Sequence, residues 1–457
     1  MERTVNGGRR LVVIGGDAAG MSAASQARRV GPEDLEILAV ERGSVTSYAA
    51  CGLPYLVAGI VPRPEDLIVR TPETFERDFA VRVRTRTEAT DIDLRAQRVH
   101  TVDAAGRERE EPYDFLVIAT GAVPNRPDLP GSRAEGVFGV QTLDDGVRLR
   151  GYLEEHRPSR AVVVGAGYIG LEMAEAFLIH GMAVTVLEAG PEPMGTLDED
   201  MGALVREGMV RTGVDFRPWT RAIGFETDRG RVSAVVTEDA THPADVVVLG
   251  LGTRPDSALA RSAGLRIGST GGVAVDRRMR TSQENVWAAG DCVETFHRVS
   301  RAPVAIALGT HANKQGRVAG TNIGGGYASF GGVVGTAVTK ICGLEVGRTG
   351  LNEVQARAAG FEFESVAVDS TTRAGYFPGA LPITVKLLAE RRTGRLLGGQ
   401  VVGGEGAAHR VDVLATALWN EMTVEEVAGM DLSYAPPFSP TWDPVLITAR
   451  KLAERAY

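Results

Sequence analysis

The chain carries one glycine-rich pattern twice, and no other feature of the sequence restricts its fold as strongly. In the complete copy a β-branched run leads into Gly165, Gly167 and Gly170. A later strand, Ala183–Leu187, ends at Glu188. Glycines at this spacing let a backbone turn approach a pyrophosphate at a helix N-terminus, and the acid accepts ribose hydroxyls. Because strand, turn, helix and acid occur in the required order, this segment predicts a dinucleotide-binding βαβ unit.

An earlier copy of the pattern lies near the N-terminus. Its first strand runs into Gly15, and its second strand, Leu35–Val40, ends at Glu41. Asp17 occupies the place of the middle glycine, so this copy is partial, and an Ala-rich helix is predicted over 22–29. Two copies in one chain are better explained by two bound dinucleotides than by two glycine turns in an ordinary α/β sheet.

Three further apolar strands break into glycine turns. The turns contain Thr120 and Gly121, then Gly252, then Gly290 and Asp291. The first two are predicted to be exits from the two nucleotide units. A strand that ends in Gly-Asp can place a carboxylate and backbone amides against a polyol or a phosphate, with a simple β-turn as the alternative.

Composition limits the class of protein. A chain of 457 residues is expected to form two or three domains of roughly 100–200 residues each. The net charge of −8 argues against nucleic-acid binding, which normally needs a basic patch. The polar N-terminus and the short apolar runs predict neither a secretion signal nor a membrane span. The three cysteines have neither disulfide-framework nor metal-ligand spacing, so we expect reduced thiols, no metal and a cytoplasmic location.

The order of these motifs resembles that of the pyridine nucleotide–disulfide oxidoreductase family over nearly the whole chain. The resemblance implies an α/β fold with two Rossmann-like dinucleotide-binding domains, as in glutathione reductase, and a C-terminal α+β dimerisation domain. It implies an FAD-binding domain at 1–125 and 254–330, an NAD(P)H-binding domain at 126–253 and a homodimer formed through 331–457. The residues expected to hold the cofactors are Gly15, Asp17, Ala18, Gly20, Glu41, Arg42, Thr120, Gly121, Gly165, Gly167, Tyr168, Ile169, Gly170, Glu188, Gly252, Gly290 and Asp291.

The C-terminal part of the chain has the patterns that such a domain needs. Alternating apolar residues predict strands over 333–342, 361–368, 381–388 and 395–402. Apolar residues at helical spacing predict a helix over 411–422. An antiparallel sheet backed by helices is therefore expected, with isologous contacts between two copies of the chain.

The residues after Glu188 bear on the choice between NADH and NADPH. Ala189, Gly190 and Pro191 offer no arginine or lysine to meet a 2′-phosphate. A carboxylate accepts a hydrogen bond from a free 2′-hydroxyl but repels a phosphate. NADH is therefore expected as the preferred nucleotide, with NADPH as the alternative.

Among the cysteines only Cys51 has a redox context. Family members with a dithiol have Cys-x4-Cys here, whereas the position five before Cys51 is Thr46, so the resemblance implies a single catalytic thiol. We expect Cys51 at a short helix start, where the helix dipole would lower its pKa. Cys292 and Cys342 are interpreted as small apolar fillers.

The string from Ser47 to Tyr55 narrows the resemblance to the single-cysteine branch of the family, and most closely to coenzyme A-disulfide reductases. Oxidases and peroxidases of that branch carry a histidine where this chain has Asp17. The residues that match contacts to the thiol substrate are Ser22, Gln26, Arg29, Ser47 and His311. Tyr376 and Tyr434 match two catalytic tyrosines that reach the cysteine from the other subunit.

One departure from the branch concerns the coenzyme A phosphates. Phe79 and Trp442 stand where family members place lysines near those phosphates. Arg82, Arg84 and Arg86 alternate on a predicted strand and either compensate for the lysines or form a solvated face.

The implied function is reduction of a low-molecular-weight disulfide, similar to coenzyme A disulfide, by NADH or NADPH through FAD and a mixed disulfide at Cys51. Two alternatives stay open. One is an NADH oxidase or a persulfide or polysulfide reductase of the same branch. The other is an electron-transfer flavoprotein reductase that serves a protein partner, with Cys51 as a structural residue.

Overall fold

The computed structural model describes residues 8–456 and arranges them around three five-stranded sheets. The first sheet is parallel, and its strands in spatial order are Val286–Ala288, Phe115–Ile118, Arg10–Ile14, Glu36–Val40 and Val81–Arg84. Its middle strand is buried from Leu11 to Ile14, as a central strand of a parallel sheet must be. The helix Ala18–Val30 follows the first glycine turn, so this part of the chain forms the predicted βαβ unit.

The helix Ala18–Val30 packs closely against a helix from much later in the chain, Gly309–Ile323. At Gly316 an added Cβ would lie 2.1 Å from the carbonyl oxygen of Ala19, and at Gly320 the corresponding distance to a backbone oxygen is 2.3 Å. Only glycine lets two helix backbones approach this closely. The contact therefore packs the helix that carries His311 against the helix that follows the first glycine turn.

The second sheet is also parallel. Its strands in spatial order are Asp215–Arg217, Ala183–Leu187, Arg160–Val164, Val246–Leu249 and Val137–Phe138. The same part of the chain contains the helices Leu143–His156, Tyr168–Ile179 and Glu199–Arg211. A two-stranded pair, Ala122–Pro124 with Thr253–Pro255, lies where the chain passes between the first and second sheets. The domain limit predicted at 254 lies in this pair, and the one predicted at 125 lies one residue after its first strand.

The third sheet is antiparallel and belongs to the C-terminal part. Its strands in spatial order are Ala337–Ile341, Leu344–Gly350, Leu396–Gly403, Pro382–Glu390 and Phe363–Thr371. The helices Arg410–Trp419 and Pro444–Ala456 share one buried apolar cluster with it. This arrangement agrees with the α+β domain that the sequence predicts.

Two C-terminal elements are shorter than predicted. The strand expected over 333–342 forms only at Ala337–Ile341, because positive φ angles at Gly332 (+92°) and Gly335 (+69°) turn the chain before it. The helix expected to reach residue 422 ends at Trp419, because Glu421 adopts a positive φ of +56°.

The remaining elements are short. The strands form two small antiparallel sheets and one further pair: Thr87–Asp93, Arg98–Asp103 and Glu108–Pro112; Ala222–Asp228, Arg231–Thr237 and Thr241–Pro243; Thr295–Phe296 and Pro303–Val304. The helices are Leu53–Val57, Pro72–Phe79, Ala258–Ser262, Glu353–Ala358 and Val424–Ala428, with 3-10 turns at Ala50–Gly52 and Pro64–Leu67. Across residues 8–456 no helix combines the length and the apolar character needed to cross a membrane.

Candidate active site

The first glycine turn joins a buried strand to a helix that has no side-chain cap. Gly15 has a φ of +104°, and an added Cβ would lie 2.1 Å from the carbonyl oxygen of Ala119, so the position requires glycine. A Cβ on Gly20 would lie 1.9 Å from the carbonyl oxygen of Gly15. Asp17 precedes the helix, and Ala18 begins it, without a capping hydrogen bond. The free amides of the first turn therefore suit an anion such as a pyrophosphate.

The second glycine turn repeats this construction. Gly165 has a φ of +100°, and its Cβ would lie 2.5 Å from a backbone oxygen of the neighbouring strand connection. At Gly167 an added Cβ would meet no atom within 4 Å, so the missing side chain leaves open space at the helix start. Tyr168, Ile169 and Gly170 form the first turn of the following helix.

The two strand-end acids are held in the same way. The carboxylate of Glu41 accepts hydrogen bonds from the amides of Gly16 and Gly43 at 2.7 and 2.6 Å. The carboxylate of Glu188 accepts two backbone amides at 2.7 and 2.9 Å. Each acid is thus fixed beside its glycine turn with lone pairs left for ribose hydroxyls, which fits one dinucleotide at each site.

The other predicted FAD contacts lie at the carboxyl end of the first sheet. Thr120 and Gly121 follow the strand Phe115–Ile118, and Gly290 and Asp291 follow its neighbour Val286–Ala288. A Cβ on Gly121 would meet nothing within 4 Å. Burial raises the pKa of Asp291 to about 6. The open space at Gly121 and the buried carboxylate of Asp291 thus lie at the carboxyl ends of neighbouring parallel strands. This is the edge of such a sheet at which a flavin nucleotide fits.

Three remaining predicted cofactor residues lie around these turns. Burial raises the pKa of Asp17 to about 6, and the charges of Glu41 and Asp291 add to the effect. Arg42 follows Glu41 and ion-pairs with a carboxylate, that of Asp256, at 3.6 Å. Gly252, with a φ of +74°, follows the strand Val246–Leu249 of the second sheet.

A cavity of about 1030 Å³, here called the central cavity, lies between the second glycine turn, Cys51 and the third sheet. Cys51, Tyr55, Tyr168 and Glu172 are among the residues that line it. The carboxylate of Glu172 accepts a hydrogen bond from Thr339 at 2.8 Å, and burial raises its pKa. The cavity therefore connects Cys51 with the start of the helix at the second glycine turn.

Two buried basic residues, His297 and Arg348, also line the central cavity. Burial, with the nearby charge of Arg348, lowers the pKa of His297 to about 4, so the imidazole is neutral at pH 7. Arg348 donates a hydrogen bond to the carbonyl of Gly350 at 2.6 Å, and burial lowers its pKa. Sequence reasoning missed both residues, because neither belongs to a motif and only the fold brings them together.

Cys51 lies in the 3-10 turn Ala50–Gly52, directly before the helix Leu53–Val57. Its position near a helix start is as expected, but the expected lowering of its pKa is wrong. Partial burial raises the pKa of the thiol, and the carboxylates of Glu172 and Asp291 raise it further. A helix of five residues has too small a dipole to outweigh these two effects.

Within the described chain Cys51 is a free thiol, and so are Cys292 and Cys342. Cys292 is completely buried in the core of the first sheet, and burial raises its pKa to about 11. Cys342 lies at a turn of the third sheet with a φ of +50°. Thr46, in the place of a second redox cysteine, is buried and hydrogen-bonds the carbonyl of Gly16.

The predicted substrate contacts Ser22 and Gln26 lie on the helix that packs against Gly309–Ile323. Ser22 donates a hydrogen bond to that helix at 2.7 Å, and Gln26 donates another at 3.1 Å. Gln26 and His311 line a second cavity of about 1250 Å³. Burial lowers the pKa of His311. The fold therefore brings these two predicted contacts to one cavity, next to the third sheet.

Arg29 and Ser47 lie at a cluster of aromatic and basic side chains. The guanidinium of Arg29 is 5.1 Å from the ring centre of Phe79, and that of Arg70 is 5.6 Å from it. The carbonyl of Ser47 accepts a hydrogen bond from the amide of Arg70 at 3.3 Å, which ties the segment before Cys51 to this cluster. Phe79, the position that lacks the family lysine, is therefore flanked by two cations.

Arg82, Arg84 and Arg86 do not share one face of a strand, as their alternation in the sequence predicted. The strand ends at Arg84, whose guanidinium pairs with the buried carboxylate of Glu111. Arg86 lies beyond the strand and has a φ of +51°, while Arg82 is exposed. Arg84 is neutralised inside the protein, so it cannot compensate for a missing lysine.

Tyr376 and Tyr434 lie on the surface, 77% and 48% exposed. A hydrogen bond between the two hydroxyls raises the pKa of Tyr376. Neither residue is among those that line the central cavity within residues 8–456. The fold of one chain therefore brings the tyrosines together but does not bring them to its own Cys51.

Comparison with known proteins agrees with this construction. Residues 9–316 match the pyridine nucleotide-disulphide oxidoreductase family, and residues 336–444 match its dimerisation domain. The chain is 39% identical to the NAD(P)H sulfur oxidoreductase (CoA-dependent) of Pyrococcus abyssi, over 98% of this chain and 99% of the relative. It is 28% identical to the coenzyme A disulfide reductase of Staphylococcus haemolyticus, over 94% of this chain and 96% of the relative. The solved NAD-dependent persulfide reductase from A. fulgidus is 41% identical and superposes with a TM-score of 0.94, over 98% of this chain and 83% of that one. The chain therefore belongs to the pyridine nucleotide-disulphide oxidoreductase family.

Proposed function

We propose that this chain reduces the S–S bond of a low-molecular-weight disulfide of the coenzyme A class, with NAD(P)H as the reductant and Cys51 as the only redox thiol. The observation that carries the proposal is the isolation of Cys51 at the central cavity. Cys292 is completely buried, and Thr46 replaces the second cysteine of a dithiol. A thiol without a disulfide partner in its own chain is suited to form its disulfide with the substrate.

The sulfur chemistry follows from this isolation. The Cys51 thiolate attacks one sulfur of the substrate, which forms a Cys51–substrate disulfide and releases the first thiolate. FAD and the nicotinamide nucleotide, when bound, supply the electron pair and the hydride that this chemistry needs. That pair cleaves the mixed disulfide into the second thiolate and Cys51 thiolate. Each substrate disulfide thus consumes one electron pair and two protons and yields two thiols.

The raised pKa of Cys51 means that its thiolate needs a hydrogen-bond donor. Glu172 and Asp291 make the surroundings negative, so the donor has to come from elsewhere. Tyr376 and Tyr434 are exposed and paired with each other, and in a homodimer they would reach Cys51 of the second copy. A phenol hydroxyl there stabilises the thiolate and protonates the departing sulfur.

The substrate class rests on the basic cluster next to the Cys51 segment. Arg29 and Arg70 flank Phe79, and a guanidinium binds phosphate oxygens through two parallel hydrogen bonds. An aromatic ring between two cations suits a phosphorylated adenosine. The relative from Staphylococcus haemolyticus, whose name specifies coenzyme A disulfide, supports this class.

A persulfide of the same thiol is the second candidate substrate. The more similar proteins, at 39% and 41% identity, are named a sulfur oxidoreductase that depends on CoA and a persulfide reductase. Attack of the Cys51 thiolate on the inner sulfur of such a persulfide gives the same mixed disulfide and releases hydrosulfide. One thiol site therefore serves both substrates.

The test uses the holoenzyme and a matched pair of variants. Cys51→Ser should retain FAD and lose turnover of coenzyme A disulfide, whereas Cys342→Ala should retain both. Intact mass before and after a reductant should show a thiol adduct on the wild type and none on Cys51→Ser. Disulfide turnover by Cys51→Ser would refute the proposal. Sulfide release from coenzyme A persulfide at a higher rate than disulfide reduction would favour the second candidate, and oxygen consumption without any disulfide would indicate an oxidase.

A further inference from the structure

A cavity of about 420 Å³ lies at the carboxyl end of the second sheet. Its lining contains the turn glycine Gly165, the acid Glu188 and the following Ala189. It also contains Thr220 and Arg221, from the loop that follows the strand Asp215–Arg217. Because carboxyl ends of parallel strands meet at one edge, this cavity is where the adenosine half of a bound nucleotide would lie.

The loop that carries Arg221 is fastened to the segment that follows Glu188. The amide of Thr220 donates to the carbonyl of Glu188 at 2.8 Å. The amide of Trp219 donates to the carbonyl of Gly190 at 3.0 Å. Two backbone hydrogen bonds thus hold Arg221 beside the place where a ribose 2′-substituent would lie.

Arg221 differs from the other arginines of this edge in having no acidic partner within residues 8–456. Arg217 is paired with Asp215 at 2.9 Å, and Arg206 is paired with Glu192 at 2.8 Å. Arg221 is exposed and makes no ion pair or side-chain hydrogen bond in the same part of the chain. Its guanidinium is therefore available to a ligand.

We infer that Arg221 binds the 2′-phosphate of NADPH and gives this chain the use of both nicotinamide nucleotides. The expectation of a preference for NADH rested on the lack of a basic residue directly after Glu188. The fold supplies that residue from a different loop, 33 positions later. Glu188 keeps its hydrogen bonds to two backbone amides and remains the acceptor for the hydroxyls of NADH. The guanidinium of Arg221 lies to one side of this carboxylate. Its positive charge attracts the 2′-phosphate and so counteracts the repulsion between that phosphate and Glu188.

Binding rather than turnover is the appropriate measurement, because it is independent of the disulfide substrate. Calorimetric titration of the oxidised holoenzyme with NADP⁺, NAD⁺ and 2′,5′-ADP gives three dissociation constants. Arg221→Ala should raise those of NADP⁺ and 2′,5′-ADP by about tenfold or more and change that of NAD⁺ by less than about twofold. Arg221→Lys, which keeps a point charge but loses the planar fork, should recover part of the affinity.

Arg217→Ala is the matched control, since it removes the same charge from the end of the strand that leads into this loop, at a residue that already has an acidic partner. It should change none of the three constants by more than about twofold. Equal losses for NADP⁺ and NAD⁺ in Arg221→Ala would show that Arg221 contacts the adenine instead, and would overturn the inference. Unchanged NADP⁺ binding in that variant, or no measurable NADP⁺ binding by the wild type, would overturn it as well. None of these outcomes bears on whether Cys51 forms a mixed disulfide.

Discussion

Replacement of Lys386 by methionine should destabilise the protein through one buried ammonium group. Lys386 lies on the strand Pro382–Glu390 of the third sheet, with a side chain only 6% exposed. Its Nζ lies 2.8 Å from Asp200, 3.1 Å from Asp198 and 2.9 Å from Glu353. Although burial lowers the pKa of Lys386, its hydrogen bonds to Asp200 and Glu353 outweigh that effect and raise it.

The size of the effect follows from what the variant leaves behind. Methionine keeps the apolar stem of the side chain, but the carboxylate of Asp198, itself 5% exposed, loses its cation. Removing one partner of a buried ion pair typically costs about 3–5 kcal/mol. Lys340 provides the matched control, because it is 59% exposed and 4.0 Å from Glu175, and an exposed pair contributes about 0–1 kcal/mol.

The same cluster joins the second nucleotide site to the third sheet. The carboxylate of Asp198 also accepts a hydrogen bond at 2.7 Å from the side-chain amide of Gln400, which lies in the third sheet. Asn352 holds the carbonyl of Thr196, which lines the central cavity, at 3.3 Å. Loosening this segment should therefore weaken nicotinamide-nucleotide binding as well as stability.

Urea unfolding of the FAD-saturated proteins, followed by circular dichroism and flavin fluorescence, measures the difference. We expect Lys386→Met to lower the free energy of unfolding by about 3–5 kcal/mol and Lys340→Met by about 1 kcal/mol or less. If the two variants lose equal stability at equal denaturant slopes, the buried cluster does not hold the domains together and the reasoning is wrong.

Three further predictions concern single residues. The pKa of His297, lowered to about 4, means that the unfolded chain binds its proton near pH 6.5 and the folded chain does not. The stabilising contribution of His297 is therefore present above pH 6.5 and is lost as the pH falls toward 4. The difference in free energy of unfolding between wild type and His297→Gln should fall by up to about 1.4 kcal/mol per pH unit in that window. A difference that does not change with pH would contradict this prediction. Cys292→Ala should retain FAD and disulfide turnover within about twofold, because its thiol is buried in the core of the first sheet, and loss of turnover in a variant that still binds FAD would disagree. Arg29→Ala should raise KM for coenzyme A disulfide about tenfold and leave KM for cystine unchanged, with the exposed Arg63→Ala as control; equal effects on both substrates would remove Arg29 from phosphate binding.

The two glycine-rich patterns could be predicted from the sequence because the residues that each one needs are close together in the chain. Gly15 and Gly165 must adopt positive φ beside a strand, and Glu41 and Glu188 must directly follow the next strand. All of these residues lie within about thirty positions of one another in a nucleotide-binding unit, so residue types and their spacing are enough to identify it. The absence of a resolving cysteine at Thr46 is likewise visible without a structure.

The tertiary structure alone decided the electrostatics and the composition of the cavities. Burial raises the pKa of Cys51, and Glu172 and Asp291, which are distant in sequence, raise it further, so a rule based on its adjacent helix predicted the wrong direction. His297 and Arg348 belong to no motif, yet they line the same cavity as Cys51. Charges act through space and not along the chain, so only the packing of the three sheets could reveal them.

The nucleotide site at Gly165 and Glu188 illustrates both the local and the tertiary contribution. The sequence by itself determined that a dinucleotide binds there, because the backbone turn and the acid are encoded side by side. Which dinucleotide the site accepts depends on Arg221, which two loop-to-loop hydrogen bonds bring beside Glu188. Local backbone geometry is written in neighbouring residues, whereas the charge that meets a ligand comes from whichever segment the fold places there.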